Sequence, residues 1–228
     1  MEDLDCVVSL TSWKGRIYHP DVPKVIYSII RQKTQYKFKV VLVLSTDEFP
    51  NKEEDLPDSI KMMSELNYIE ILWCKENLKA YKKYYPTHLK YFNIPIMTTD
   101  DDIMLKPNTI ETFMNCHKKN PNTIIAEWGH PIKGNYFITG YFRLYPPNAL
   151  LEIPSFFFTE YFYNAEDDAY NAVLAKLKNT KTKIISSKCV QQIDNGLQKV
   201  AFVKTYKKIN PQPCINNLLK ALKQLKII

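Results

Sequence analysis

The sequence predicts an α/β protein built on a mostly parallel central sheet with helices on both faces. Short apolar runs alternate with segments of helical periodicity, which is the pattern of strands that alternate with helices. The run at residues 38–44 is continuous and rich in valine, as expected for a strand buried on both faces. The 228 residues are 45% hydrophobic and show no linker or repeat, so we expect one domain spanning residues 1–228.

The predicted elements follow in a regular order. Strands are predicted at residues 6–10, 38–44, 68–73, 94–98, 123–126, 138–144 and 183–186. Helices are predicted at residues 22–30, 58–66 and 166–177, in part of 79–91, and from an opening at 107–111. Asn108 takes the cap position of that last helix and Glu111 follows three residues later, which indicates a capping box. Strands that alternate with helices favour a parallel sheet.

A basic amphipathic helix is predicted at about residues 214–228. Its apolar face carries Ile215, Leu218, Leu219, Leu222, Leu225 and Ile228, and Lys220, Lys223 and Lys226 lie on or near the other face. Such a helix either packs on the core or lies on an anionic membrane surface. We favour packing, because most helices of this kind pack.

Composition narrows the possible functions. Only five glycines are present, and there is no glycine-rich phosphate loop of the dinucleotide or P-loop type. The net charge of +7 suits a polyanionic partner, although lysines spread along the chain are equally typical of an ordinary soluble surface.

Cysteine usage and the N-terminus indicate the compartment. The five cysteines form no C-x-x-C pair, which predicts free thiols in a reducing environment. The N-terminus is acidic and lacks the features of a secretory signal, and no apolar run approaches the length of a membrane span. We expect a cytoplasmic protein, and the C-terminal helix leaves open a peripheral contact at the inner face of the membrane.

Three adjacent carboxylates, Asp100, Asp101 and Asp102, directly follow the predicted strand at 94–98. Ligands of α/β sheets bind at the carboxyl ends of strands. Adjacent like charges repel there unless a cation lies among them, and hard oxygen ligands suit Mn²⁺ or Mg²⁺. The triplet therefore predicts a metal site, with a solvated acidic turn as the alternative.

A second acidic group, Asp167 and Asp168, lies in the first turn of the helix predicted at 166–177. The helix dipole favours acidic residues there, so capping explains them without any catalytic role. The functional alternative is a general base that accepts a hydroxyl proton.

Basic residues and one histidine are further candidates. Arg16 follows the first strand, and Lys82 and Lys83 precede a Tyr-Tyr-Pro segment, so all three are placed to reach phosphate groups. Exposed lysine and arginine are usually only surface charge. His130 follows a predicted strand and is a candidate for a substrate site, with a structural histidine as the favoured alternative. The four histidines show no zinc-ligand spacing.

Taken in order, these motifs resemble those of GT-A glycosyltransferases, in particular the family 2-like enzymes of bacterial surface-polysaccharide assembly. The resemblance rests on VSLTSW followed by Arg16, then VLVLS, KKYYP, TTDDDI, GYFRLYPP and finally Glu166-Asp167-Asp168. It spans roughly residues 5–175.

The resemblance implies a role for each matching residue. Asp100 and Asp102 would form the D-x-D element that holds Mn²⁺ or Mg²⁺, with Asp102 as the direct ligand. The donor-binding residues would be Thr11, Ser12, Arg16, Lys83, Asp100 and Asp101. Asp167 or Asp168 would be the catalytic base, and Gly140 would begin the segment that faces the acceptor. His130, named above from its place after a strand, is a candidate for the same acceptor site. Many relatives place a late histidine on the metal, and this chain has none after His130.

The predicted function is transfer of a sugar from a UDP- or GDP-sugar to a hydroxyl of a glycan or lipid-linked acceptor. A single inverting displacement in polysaccharide biosynthesis is the expected reaction, with a retaining reaction as the alternative, because the acidic pair alone does not fix the stereochemistry. A metal-dependent nucleotidyltransferase, which would attack phosphorus, is one alternative. A noncatalytic nucleic-acid-binding protein is another, but an acidic strand end would repel phosphates unless loaded with metal, so no nucleic acid is expected as a partner.

Overall fold

The structure, a computed structural model, describes residues 3–132, 136–153, 167–193, 211–224 and 226–228. Its strands are β1 (Cys6–Thr11), β2 (Phe38–Ser45), β3 (Glu70–Cys74), β4 (Ile96–Asp100), β5 (Ile103–Leu105), β6 (Thr123–Ile132), β7 (Tyr136–Tyr145), β8 (Lys181–Ile184) and β9 (Val190–Gln192). Seven of them form one sheet in the order β3-β2-β1-β4-β7-β6-β8, and β5 pairs with β9 in a second, two-stranded sheet.

The described helices connect these strands. They are α1 (Asp21–Ile30), α2 (Asp58–Glu65), α3 (Tyr85–Lys90), α4 (Thr109–Lys119), α5 (Asp167–Leu177) and α6 (Pro211–Gln224), with short 3₁₀ helices at Lys52–Asp55 and Lys79–Lys83. Most lie within a few residues of their predicted positions. Glu166, predicted as the first residue of α5, and Leu225 lie outside the described residues.

The large sheet is parallel except for one strand. β1 pairs in parallel with β2 and β4, β2 with β3, and β6 with β8. β7 runs antiparallel to both of its neighbours, β4 and β6. The predicted α/β class with a mostly parallel sheet is confirmed.

Helices cover both faces of the sheet, as predicted. On one face, α1 and α4 bury apolar side chains such as Ile26 and Phe113 against β1, β4 and β7. On the other face, α3, α5 and α6 pack around Ile96 and Tyr145. Because both faces are covered, β1 is buried from Cys6 to Leu10 and β2 from Val40 to Ser45, which explains their continuous hydrophobicity.

The β6–β7 hairpin is longer than predicted. Both strands extend over ten residues, so His130 lies within β6 rather than after it. Pairing continues because a bulge between Ala126 and Trp128 shifts the register instead of ending the ladder. Polar residues and Gly129 concealed this continuation in the sequence.

The predicted capping box at Asn108 is wrong. Asn108 precedes α4 but makes no side-chain bond to the helix. The carboxylate of Glu111 instead accepts hydrogen bonds from Thr34 Oγ1 at 2.7 Å and from the backbone and side chain of Gln35. The carboxylate of Glu111 therefore binds the loop after α1 instead of capping the start of α4.

The C-terminal helix α6 packs its apolar face on the core, as favoured from the sequence. Ile215, Leu218 and Leu222 are fully buried among the side chains of α5. Lys223 is exposed on the opposite side. Among the described residues, no helix combines the length and the apolarity needed to cross a membrane.

Truncation of the α6 face should destabilise the protein. We expect Leu222→Ala to lower the free energy of unfolding by about 2–5 kcal/mol, because it removes a buried leucine and leaves a cavity. Lys223→Ala, one residue away and exposed, should change it by less than about 0.5 kcal/mol. Urea unfolding of the three proteins tests this, and equal stability would mean that α6 does not contribute to the core.

Candidate active site

The carboxyl ends of β1 and β4 bring the predicted donor-side residues to one edge of the sheet. The strands are parallel neighbours, and Thr11 at the end of β1 is in register with Asp100 at the end of β4. Ser12 follows the first strand directly, and Asp101 and Asp102 follow the second. The hydroxyl of Thr11 donates to the backbone oxygen of Val43 at 2.7 Å, so it fastens the end of β1 to β2.

Arg16 binds two of the three adjacent carboxylates. Its Nη1 lies 2.8 Å from Asp101 Oδ1, and its Nη2 donates to Asp102 Oδ2 at 3.0 Å. Ser12 Oγ donates to the other oxygen of Asp101 at 2.5 Å. Burial outweighs these contacts and raises the pKa of Asp101 to about 6. Ser12 and Arg16 thus fix the two carboxylates at the strand end in a set orientation.

Lys83 joins the third carboxylate to α5. Its Nζ lies 2.6 Å from Asp100 Oδ1 and 3.0 Å from Asp167 Oδ2. The ammonium is buried, which alone would lower the pKa of Lys83, but the two carboxylates raise it above its ordinary value. Burial likewise would raise the pKa of Asp100, and Lys83 with Arg143 holds it below its ordinary value. Both groups are therefore charged at neutral pH.

Arg143 holds Asp168 at the start of α5. The guanidinium is completely buried, and its Nη1 donates to Asp168 Oδ1 and lies 3.6 Å from Asp167 Oδ2. The side chain of Asp168 is 28% exposed, whereas that of Asp167 is 8% exposed. Burial raises the pKa of Asp168 to about 7, with Arg143 opposing the shift and Asp167 adding to it. Asp168 is thus a carboxylate within reach of solvent that changes charge near neutral pH.

These contacts form two groups, one around Arg16 and one around Lys83 and Arg143. The adjacent residues Asp100 and Asp101 belong to different groups and bring them together, and we call the eight side chains the charged cluster. Its members are Arg16, Lys83, Asp100, Asp101, Asp102, Arg143, Asp167 and Asp168. Five carboxylates face three cations, so the cluster carries two surplus negative charges when every carboxylate is ionised. Burial is the main cause of the raised pKa values of Asp101 and Asp168, and the neighbouring carboxylates of the cluster add to both shifts.

A second buried ion pair lies beside the charged cluster. Lys82 Nζ lies 2.5 Å from Glu48 Oε2 and donates to the backbone oxygen of Ser12 at 3.4 Å. Lys82 and Lys83 were candidates only as basic residues that precede an aromatic segment. Both are buried, at 1% and 2% exposure, which excludes the interpretation that they are ordinary surface charge.

Sequence reasoning missed two residues of the site. Arg143 lies in an apolar strand, between Phe142 and Leu144, and a charged residue in such a run is buried only when paired. That rule could have identified it. The second residue is Gln192 on β9, whose Nε2 donates to Asp102 Oδ2 at 3.3 Å. Nothing in the sequence indicates that β9 pairs with β5, which is the pairing that brings Gln192 to the site.

The two predicted acceptor residues lie on the β6–β7 hairpin, whose second strand also carries Arg143 of the charged cluster. Gly140 is paired opposite Trp128, and the His130 ring lies 4.9 Å from the ring of the same tryptophan. An added Cβ at Gly140 would lie 3.1 Å from the Trp128 ring, so the glycine makes room for the indole.

Asp100 and Asp102 have the ligand chemistry that a divalent cation prefers, but two carboxylates supply only part of its coordination shell. Their carboxylate oxygens are the hard ligands that Mn²⁺ and Mg²⁺ prefer. Within the described part of the chain, no group of three or more His, Cys, Asp or Glu side chains is placed to hold a metal ion. Mg²⁺ commonly binds to one or two carboxylates and completes its shell with water and substrate phosphates. The two aspartates fit that mode of binding.

Comparison with known proteins identifies the fold. The sequence matches no protein-family model and no curated protein. Solved structures of TarS, a GT-A-type glycosyltransferase, are similar to it, and the chain has the GT-A fold.

Two structures of TarS and one of another enzyme show how far the structural similarity extends. S. aureus TarS 1–349 in complex with UDP-GlcNAc gives a TM-score of 0.52 at 11% identity, over 87% of this chain and 62% of that chain. TarS 1–349 with UDP gives 0.56 at 12% identity, over 96% and 71%. A 4-diphosphocytidyl-2C-methyl-D-erythritol synthase gives 0.50 at 11% identity, over 89% and 99%. This chain thus spans less than two thirds of the TarS chain bound to UDP-GlcNAc.

The free energy of unfolding of the wild type should fall as the pH rises, and Asp168→Asn should remove this pH dependence. The pKa of Asp168 is raised to about 7 in the folded protein, whereas an unfolded aspartate titrates near ~3.9. Between these values the folded state holds the extra proton, so the free energy of unfolding falls as the pH rises. The asparagine oxygen still accepts from Arg143 and does not titrate. We expect the variant to gain roughly 1–3 kcal/mol relative to the wild type between pH 5 and pH 8.

Urea unfolding at both pH values measures this gain. Asp58→Asn is the matched control, because that carboxylate lies on α2 with its side chain 97% exposed. Parallel pH profiles for the wild type and Asp168→Asn would contradict a raised pKa at Asp168.

Proposed function

We propose that the protein is a glycosyltransferase that moves a sugar from a nucleoside-diphosphate sugar to an acceptor hydroxyl. The observation that carries the proposal is the position of Asp168. It is a partly exposed carboxylate with a pKa of about 7, and Arg143, Asp167 and Lys83 connect it to Asp100 at the carboxyl edge of the sheet. A general base works best when its pKa lies near the working pH.

The donor side of the proposal rests on the charged cluster. Arg16 and Lys83 hold the carboxylates of the cluster in place at the edge where open α/β sheets bind ligands. The solved neighbours support a nucleotide-sugar donor, because TarS 1–349 was crystallised with UDP-GlcNAc and with UDP. A UDP-sugar is therefore the first donor to test, and a GDP-sugar the second.

A divalent cation belongs to the same proposal. Asp100 and Asp102 would hold Mn²⁺ or Mg²⁺, which would neutralise the diphosphate of the donor. The excess of carboxylates over cations in the charged cluster supports this, because a bound cation would offset it. Without compensation, a diphosphate would meet an edge that is already negative.

The chain's own residues would then divide the work of an inverting displacement. Asp168 accepts the proton of the acceptor hydroxyl while that oxygen forms a bond to the anomeric carbon of the sugar. The bond from that carbon to the diphosphate breaks on the opposite side, and the nucleoside diphosphate leaves. Lys83 and Arg143 hold the carboxylate of Asp167 in place, so Asp167 is a positioning residue and Asp168 the base.

A nucleotidyltransferase is the second candidate. The 4-diphosphocytidyl-2C-methyl-D-erythritol synthase, a nucleotidyltransferase, shares the fold over nearly its whole length. That reaction would release pyrophosphate, whereas sugar transfer releases a nucleoside diphosphate. Product analysis after incubation with UDP-sugars and nucleoside triphosphates separates the two.

The donor site predicts metal-dependent stabilisation by nucleotide. UDP or GDP with Mn²⁺ at 100 times its Kd should stabilise the protein by about 2.7 kcal/mol, because the ligand binds only the folded state. For a chain of this length, this raises the Tm by roughly 5–10 °C. The rise should be absent without Mn²⁺ and in Asp102→Asn, and Asp58→Asn should retain it. An equal rise without metal would remove the cation from the proposal.

The base predicts a defined pattern in kinetics. Asp168→Asn should lower kcat about 10²–10⁴-fold and leave the Kd for UDP unchanged, since the base touches only the acceptor. Wild-type kcat/KM should rise with pH and level off above about 7, where Asp168 is deprotonated. Asp167→Asn is the matched variant, and it should lose less. Near-normal turnover in Asp168→Asn would assign the base elsewhere.

A further inference from the structure

Three aromatic side chains form an exposed group on the β6–β7 hairpin, which we call the aromatic patch. It consists of Trp128, His130 and Tyr141. The Trp128 ring lies 4.9 Å from that of His130 and 6.0 Å from that of Tyr141. Trp128 is 45% exposed and Tyr141 39% exposed, although large aromatic side chains usually contribute to a core. The patch leaves a large apolar surface in contact with water.

Local backbone irregularities hold the patch in this arrangement. A bulge between Ala126 and Trp128 shifts the register of β6, and Tyr141 has a φ of 64°, which a tyrosine rarely adopts. Gly140, opposite Trp128, has no side chain to displace the indole. Such strain persists only where the surrounding structure imposes it, and it occurs preferentially at functional sites.

The patch lies at the same edge of the sheet as the charged cluster. Thr98 of β4 is in register with Arg143 of β7. Two residues further toward that edge, the chain reaches Asp100 on β4 and Tyr141 on the antiparallel β7. Arg143, which binds Asp168, also donates to the backbone oxygen of Thr139 at 3.4 Å. The proposed base therefore lies next to the strand that carries Tyr141.

We propose that the aromatic patch binds a saccharide, the sugar ring of the acceptor, which stacks on Trp128 with a hydroxyl toward Asp168. This inference rests on the proposed function and names its acceptor class. A pyranose has an apolar face of C–H groups and a rim of hydroxyls. The indole matches that face, and His130 and the Tyr141 hydroxyl offer polar atoms to the rim. A lipid chain has no hydroxyls for these atoms.

Saccharide binding can be tested without catalysis. The probes are the methyl glycosides of glucose, galactose, mannose, N-acetylglucosamine and N-acetylgalactosamine, observed by saturation-transfer NMR with wild-type protein, Trp128→Ala, Trp128→Phe and Tyr68→Ala. Tyr68 is the control, because it is 55% exposed and precedes β3 at the opposite edge of the sheet. At least one glycoside should bind wild type and Tyr68→Ala, weaken about 10-fold or more in Trp128→Ala, and weaken less in Trp128→Phe.

Kinetics then separate this inference from the proposed function. With the glycoside that binds, Trp128→Ala should raise the acceptor KM about 10-fold, while the Kd for UDP, which binds on the donor side, stays unchanged. Binding that depends on Trp128 without any sugar transfer would uphold the saccharide site and contradict the proposed reaction. Absence of glycoside binding to wild type, or equal binding to Trp128→Ala, would overturn the inference whatever the donor assays show.

Discussion

The compensation of buried carboxylates is the constraint on which the rest of the structure depends. Asp100, Asp101 and Asp102 leave β4 side by side, and like charges this close are costly unless cations share their surroundings. Arg16 comes from the turn after β1, and Lys83 from the 3₁₀ helix before α3. The strand order that places β1 and β7 on either side of β4 is what makes these pairings possible.

The reversed strand β7 joins the two sides of the site. It supplies Arg143, whose side chain reaches both acidic residues at the start of α5, and it also supplies Tyr141 at the exposed edge. Lys83 completes the connection, because it contacts Asp100 and Asp167 at once. A change in the charge of Asp100 therefore alters the electrostatic surroundings of Asp168 through Lys83 and Arg143. Removal of one partner of such a buried pair leaves an uncompensated charge, which costs far more than the pair contributes.

The sequence was informative where chemistry is local and silent where it depends on pairing across the sheet. The acidic triplet after an apolar run indicated the edge of the sheet. Arg16 was named from its place after the first strand, and Lys83 from its place before the Tyr-Tyr-Pro segment. The contact of Gln192 with Asp102 could not be predicted, because it depends on the pairing of β9 with β5. Glu111 showed the opposite error: its spacing to Asn108 fitted a local motif, but its partners lie in the loop after α1. The exposed position of Trp128 was likewise not predictable from the sequence, because it follows from the bulge in β6.

The separation of the paired residues along the chain has a consequence for how the protein acquires its site. Ser12 and Asp101 are 89 residues apart, Arg16 and Asp102 are 86 apart, and Asp102 and Gln192 are 90 apart. Contacts of such long range form slowly, because the entropy of loop closure must be overcome before they stabilise anything. A nascent chain that ends before β7 has its acidic triplet but lacks Arg143. We therefore expect the site to form late in folding, and a chain stalled before β7 to expose acidic groups without their full set of cations.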